Sequence, residues 1–219
     1  RTRRRRTPAR RRASGSVTIR RGGSWGAAAA VPSELRVVPT DRDARAWVLA
    51  HRETDRPLKA VGLAGGDLAR TVGGGAPGRF AGTVMTAPVD VLRIEADGRT
   101  TWAVAHVVAR RSWWRGDVWL AMNAQFLGEY DVAPRSHPND GKVDVVHVLP
   151  GMSARARMQA RRRARTGSHL PHPQLVVTQS ASSSVSFDRP LVLWVDGVRW
   201  ATTQHVTVTC EPDALIIYA

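Results

Sequence analysis

Cysteine is almost absent from this chain of 219 residues: Cys210 stands alone. A single cysteine rules out a disulfide framework within the chain and a multi-cysteine zinc site. It suits a reducing compartment, so a cytoplasmic location is expected. Long apolar runs are missing too. No stretch reaches the roughly 18–20 apolar residues that a membrane-spanning helix needs. The basic start is not followed by the apolar segment of a secretory signal. Ser112 has no recognisable base in a motif around it, so serine hydrolase chemistry has no support.

Acidic residues are missing from two stretches, and this absence explains the charge. The chain carries 33 Lys and Arg against 18 Asp and Glu, a net charge of +15. Ten arginines lie in residues 1–21 and six more in residues 155–165, with no acid in either stretch; the remainder holds 17 basic and 18 acidic residues. The body is therefore near neutral. Residues 1–16 lack large apolar side chains and read as a disordered, arginine-rich arm. Through Arg1 to Arg21 such an arm binds polyanions, either anionic lipid headgroups or nucleic acid, or else serves only as a solubilising tail. In the second stretch Met152, Ala156, Gln159 and Arg163 fall on one helical row. It reads as a short basic helix or loop, facing either solvent or a phosphate-bearing partner.

With 42% hydrophobic residues the chain can build a core. Val17–Ile19 and Leu35–Val38 are strand candidates, joined by a Gly/Ala/Pro loop. Thr40 or Asp41 caps a helix through about His51. Ala60–Leu63 is a short buried strand, and Gly65-Gly66 turns it into a helix starting at Asp67. Beyond Gly75 the pattern turns to strands at Val89–Glu95, Trp102–Ala109 and Val118–Ala124, then Leu175–Ser180, Ser184–Phe187, Leu191–Val195, His205–Cys210 and Ala214–Tyr218. Asp-Gly turns at Asp97-Gly98 and Asp196-Gly197 separate neighbouring strands. The expected class is α+β: a partial α/β segment over residues 17–80, then an antiparallel β-sandwich over residues 81–219.

Two further groups carry alternative readings. His137, His147, His169 and His172 would be needed for a zinc site, but no motif of known spacing unites them. Trp113, Trp114 and Trp119, among Arg110, Arg111 and Arg115, read either as core packing or as an aromatic and basic surface for lipid headgroups or bases.

Several motifs in order resemble the bacterial diacylglycerol and related lipid kinases. Gly62–Arg70 (GLAGGDLAR) is similar to the family's Gly-Thr-Gly-Asn-Asp-Phe-Ala-Arg segment. Asn123, Gly128, Ala133-Pro134, Asn139-Asp140-Gly141 and Val143-Asp144 follow the order of its Asn…Gly…Ala-Pro…Asp-Gly segment. Gly167 with His169, then Asp196-Gly197, complete the series, so the resemblance covers about residues 60–219. It implies ATP and Mg2+ as cofactors and a lipid substrate. It also implies that Gly65, Gly66 and Asp67 line a phosphate region. Asp140 would hold a structural magnesium ion, with the backbone carbonyls of His137 and Lys142. Asp196 would be the carboxylate nearest the acceptor hydroxyl.

The chain departs from that family at two places. Where the family has a Gly-Gly-Asp-Gly-Thr phosphate loop, this chain has Val37–Asp43 with no glycine and with Pro39. Where the family closes on a glutamate, this chain has Val198, which cannot accept a proton. Three functions follow as expectations: a degenerate lipid-kinase relative that binds a ligand or partner, an active kinase with non-standard residues or a separate nucleotide-binding chain, and nucleic-acid binding through the arm.

Overall fold

Runs of β-branched and aromatic residues set the architecture, and turn chemistry sets their pairing. The computed structural model describes residues 25–54, 57–75, 80 and 82–219; the arginine-rich arm and Val17–Ile19 lie outside them. Strands β1 (Ala27–Ala30), β2 (Arg36–Val38) and β3 (Val61–Leu63) alternate with helices α1 (Asp41–Arg52) and α2 (Asp67–Thr71). Then come β4 (Thr83–Ala96), β5 (Arg99–Ala103), β6 (His106–Arg110), β7 (Val118–Met122), and the small pair β8 (Phe126–Leu127) and β9 (Tyr130–Asp131). Strand β10 (Val143–Val148), helix α3 (Ala154–Ala164), β11 (Leu175–Ser180), β12 (Ser182–Val195) and β13 (Val198–Tyr218) complete the described chain. The fold is α+β and mostly antiparallel, a β-sandwich with few helices.

Eleven strands form one sheet in the order β1-β4-β13-β12-β6-β7-β10-β11, with β5 on β4, β3 parallel to β13, and β2 parallel to β3. The α/β segment is thus joined edge to edge to the sandwich. Asp97-Gly98 and Asp196-Gly197 turn the β4–β5 and β12–β13 hairpins with all four residues at positive φ, as a two-residue primed turn requires. Asp188-Arg189-Pro190 and Glu211-Pro212-Asp213 lie within β12 and β13, where the pairing register shifts, so that Ser184–Phe187 runs on into Leu191–Val195 and His205–Cys210 into Ala214–Tyr218. Proline removes a ladder donor, so the strand bulges rather than ends. Ala27–Ala30, expected as loop, pairs with β4 from Thr86 to Thr83. Backbone pairing there overrides alanine's weak strand preference.

Alternation along β6, β7 and β10 divides two cores. Val107, Trp119 and Val145 point into the sandwich with Leu92, Ile94, Leu193, Val206 and Val208. Their neighbours Val108, Leu120 and Val146 face the opposite side, toward α3. A third cluster packs α1 (Ala44, Val48) and α2 (Leu68, Ala69) against Val61, Leu63, Leu215 and Ile217. Thr40 caps α1, its hydroxyl accepting from Asp43 N at 3.2 Å. Among the described residues no helix is long and apolar enough to cross a membrane.

Candidate functional site: a polar knot beside an apolar cavity

The stretch Trp102–Ala109, expected as one strand, breaks at Val104-Ala105 into β5 and β6. The break is held from ninety residues away. Asp196, only 4% exposed, accepts Val104 N at 2.9 Å through one oxygen and Ala105 N and His106 N at 3.0 Å through the other. Asn123 donates to Val104 O at 2.8 Å and to Asp90 O at 2.9 Å. Every oxygen of Asp196 is therefore used on backbone. Burial pushes its carboxyl above the ordinary range, against the pull of His106 and the three amides.

His106 carries the break to α2. Its Nε2 lies 3.1 Å from Asp67 Oδ2. Burial would lower the imidazole's pKa, but Asp67, Asp196 and Asp41 together outweigh it and raise it. Asp67 also accepts Gly128 N at 2.9 Å, while Arg70, one turn along α2, donates to Gly128 O at 2.6 Å and lies over the Phe126 ring at 3.9 Å. Helix α2 thus grips both polar groups of the β8–β9 turn.

The amide groups at the start of α2 are already occupied. Asp41 accepts Asp67 N at 2.5 Å and Leu68 N at 3.1 Å. Gly66 has φ 100, and a Cβ there would lie 2.5 Å from Asp41 Oδ1. Gly66, Asp67 and Leu68 therefore surround a carboxylate of the protein itself, while Gly65 packs against the Pro39 carbonyl. Burial, reinforced by Asp196 and opposed by the two amides and His106, pushes the Asp41 carboxyl up to about 6. Asp41, Asp67 and His106 each offer one ligand atom within 4.8 Å of the others. Asp41 already accepts the α2 amides and Asp67 Oδ2 meets His106 Nε2, while His106 Nδ1 is buried with no partner among the described residues.

In the loop before β10, Asp140 and Lys142 form a second polar group with Gln179 and Asp144, while His137 bonds to Asn139 instead. Asp140 Oδ1 accepts Lys142 N at 3.0 Å, and Oδ2 accepts Gln179 Nε2 at 2.9 Å. The same amide reaches Asp144 at 3.2 Å. Burial and then Asp144 push the Asp140 carboxyl up to about 6, against Lys142. The four histidines disperse. His137 Nδ1 accepts Asn139 N, His147 meets Asp117, His169 donates to Val132 O and His172 Nδ1 accepts Gln174 N. They form no common ligand set among the described residues.

On the other side of the β8–β9 turn lies a cavity of about 440 Å³. Its floor is the outer face of β7 and β10 (Val118, Leu120, Val146, Val148), its roof is α3 (Ala160, Ala164), and Leu127, Gly128, Tyr130 and Val132 form one wall. Trp113, Trp114 and Arg161 line it while remaining exposed, so they form its rim. Trp119, by contrast, belongs to the sandwich core. Arg157 builds the rim from beneath. It is 5% exposed, and its guanidinium donates to the carbonyls of Met152, Leu149, Gly116 and Trp113. Sequence reasoning missed His106, Arg157 and the cavity. The available signal was the row Arg157, Ala160 and Ala164, small residues behind a single arginine, rather than the row through Gln159 and Arg163.

Comparison with known proteins follows the same division. No curated protein matches the chain. Among solved structures, one described as a putative diacylglycerol kinase from Bacillus anthracis str. Sterne superposes with a TM-score of 0.58 at 12% identity, covering 86% of this chain and 77% of that one. A second so described gives 0.54 at 11% identity, covering 74% and 70%. A third, described as a diacylglycerol kinase of that strain, gives 0.53 at 14% identity, covering 74% and 68%. At such identities the likeness shows the fold alone. Residues 87–219 match the family model described as the YegS C-terminal NAD kinase beta sandwich-like domain. That span runs from β4 to the last described strand and includes the cavity, the broken strand and Asp196. On that match, the chain belongs to the YegS C-terminal β-sandwich family.

Proposed function

We propose that this protein binds a lipid, placing the apolar chain in the cavity under α3 and the polar head near the β8–β9 turn, without transferring a phosphoryl group by itself. The cavity is the observation that carries this reading. Its volume lies in the range of small-molecule sites, and its walls are almost wholly apolar. It adjoins the polar knot through one residue, Gly128, which lines the cavity and is held by Asp67 and Arg70. An amphiphile fits such a boundary, because its chain needs apolar walls and its head needs polar groups at the end of them.

Nucleotide fits less well. A phosphate bound by the α2 amides would have to displace the Asp41 carboxylate, with Asp67 and Asp196 adding negative charge nearby. The Val37–Asp43 loop offers no glycine to wrap phosphates, and Val198 replaces the family's glutamate. Asp196 therefore acts as a positioning residue that holds the β5–β6 break. The carboxylates of the other polar group suit a hard cation, which prefers oxygen ligands. Asp140 would hold a magnesium-class ion, with Asp144 beside it and the carbonyls of His137 and Lys142. Bound there, it would neutralise two neighbouring carboxylates and brace the loop before β10.

Calorimetry on the full chain tests this. A single-chain phospholipid below its micelle concentration should bind saturably, and Ala160→Phe, which fills the cavity, should weaken that binding by about tenfold or more. ATP with magnesium should give no heat of binding at millimolar concentration. Saturable ATP binding that is lost in Asp67→Ala would overturn the reading in favour of an active lipid kinase. Lipid binding that ignores Ala160→Phe would remove the cavity from it.

A further inference from the structure

The rim of the cavity is chemically unlike the rest of the surface. Trp113 and Trp114 are 38% and 43% exposed, and Met158 on α3 is 40% exposed. The same loop and helix also carry the exposed Arg111, Arg115, Arg155, Arg161, Arg162 and Arg163. Glu129 is paired with Arg165, while Arg155, Arg162 and Arg163 make no ion pair among the described residues. Helix α3 itself contains no acidic residue. A soluble protein rarely leaves two adjacent tryptophans in water without a partner.

The tryptophans are also fixed in place. Arg157 donates to the carbonyls of Trp113 and Gly116 from its buried site, so the loop that carries them is tied to α3. Arg110 lies 4.5 Å over the Trp113 ring and Arg161 lies 5.8 Å from the Trp114 ring. Indole rings backed by guanidinium groups suit the boundary between headgroups and acyl chains, where one side is wet and anionic and the other apolar.

We infer that the Trp113-Trp114 loop and the exposed face of α3 form a docking surface for an anionic lipid bilayer, with the tryptophans entering the headgroup layer and the α3 arginines resting on the phosphates. Charge complementarity selects this partner, since unpaired arginines favour an anionic surface and screening limits the attraction to close range. The tryptophans select a bilayer over nucleic acid, because they form the rim of an apolar cavity rather than a track along a groove. The inference builds on the lipid-binding reading: docking there brings the cavity's rim to the membrane from which its ligand would come.

Vesicle sedimentation tests it, separately from monomer binding. The full chain is mixed with vesicles of phosphatidylcholine, with or without phosphatidylserine. The wild type should partition strongly only when phosphatidylserine is present. The triple variant Arg155→Glu, Arg162→Glu and Arg163→Glu should partition about tenfold less or worse, while still binding the monomeric lipid. Lipids brominated near the headgroup should quench tryptophan emission, and Trp113→Phe with Trp114→Phe should remove most of that quenching. Equal partitioning of wild type and triple variant would overturn the inference. So would an unchanged vesicle affinity accompanied by lost oligonucleotide affinity, which would make α3 a nucleic-acid surface. Vesicle docking that persists when monomer binding fails would leave the docking surface standing and remove only the cavity's ligand.

Discussion

The polar knot and the apolar cavity lie on either side of the same turn and are built on opposite principles. In the knot, Asp41, Asp196 and Asn123 use their side chains on backbone groups of α2 and the β5–β6 break, and His106 uses its own on Asp67. In the cavity, side chains of β7, β10 and α3 face one another across empty space. The carboxylates of the knot are committed to the protein's own backbone, and of its buried atoms only His106 Nδ1 and Asn123 Oδ1 are left without a partner among the described residues. The cavity offers apolar surface that a ligand would remove from water. The loop that the resemblance puts forward for phosphate is bonded to Asp41 and to the β8–β9 turn, and the apolar cavity lies next to it.

The largest effect should come from breaking the knot at its centre. Asp196→Ala leaves three buried backbone amides without acceptors and opens the β5–β6 break. Urea unfolding should show a loss of about 3–5 kcal/mol. Asp196→Asn, which keeps one acceptor oxygen, should cost less. A loss below about 1 kcal/mol in Asp196→Ala would mean that the break is held by other contacts.

Acidity should distinguish the two regions next. The Asp41 carboxyl is raised from 3.8 to about 6, chiefly by burial. A raised acid holds its proton more tightly when folded. Its contribution to stability is therefore complete below its unfolded value and is lost as pH rises through about 6. His106 is raised too and acts in the same direction, with its loss lying above its ordinary value. Wild-type stability should thus fall between about pH 4 and about pH 7, by an amount on the order of 3 kcal/mol from Asp41. Asp41→Asn should lack that part of the slope. The gap between variant and wild type should therefore narrow as pH rises, and a constant gap would show that Asp41 does not titrate in this window. On the cavity side, burial lowers the pKa of His169, so its contribution runs the other way and is lost as pH falls below its ordinary value.

Ala160→Phe tests the cavity alone. A phenyl ring in the roof should reduce lipid affinity by about tenfold or more, equivalent to about 1.4 kcal/mol, while unfolding changes little. A large loss of stability would mean that the cavity is too rigid to accept added volume.

Most of the frame was legible in the sequence because it depends on neighbours in the chain. Thr40 caps α1, Asp97-Gly98 and Asp196-Gly197 turn hairpins, and the runs Val118–Ala124 and Leu175–Ser180 end within two residues of β7 and β11. What escaped depends on distant partners. Nothing near Val104-Ala105 signals a break, since the carboxylate that stabilises it belongs to Asp196. Nothing near Asp67 shows that its amide is already taken by Asp41. The cavity escaped for a related reason. It is bounded by the outward residues of β7 and β10, whose alternation reads as a buried strand without saying what covers each face. In α3 the arginines obscured the pattern, because the buried one, Arg157, bonds only to carbonyls.

The smallest expected effect is the most informative about how the two regions connect. Asp67→Asn keeps an acceptor for Gly128 N but loses the charge that strengthens this bond and the pairing with His106. The Asp67 side chain is only partly buried and the turn it holds is exposed, so the stability loss should be about 1 kcal/mol. Lipid affinity should fall a few-fold as well, because the same bond fixes the wall formed by Leu127, Gly128 and Tyr130. A change in stability without a change in affinity would limit Asp67 to the knot. Arg70→Gln removes the grip on Gly128 O and should weaken affinity in the same way. If both residues act through one turn, the double variant should lose less than the sum of the two single losses. Additive losses would mean that the two side chains act on the cavity independently, and that the turn is not the link between the polar and apolar sides.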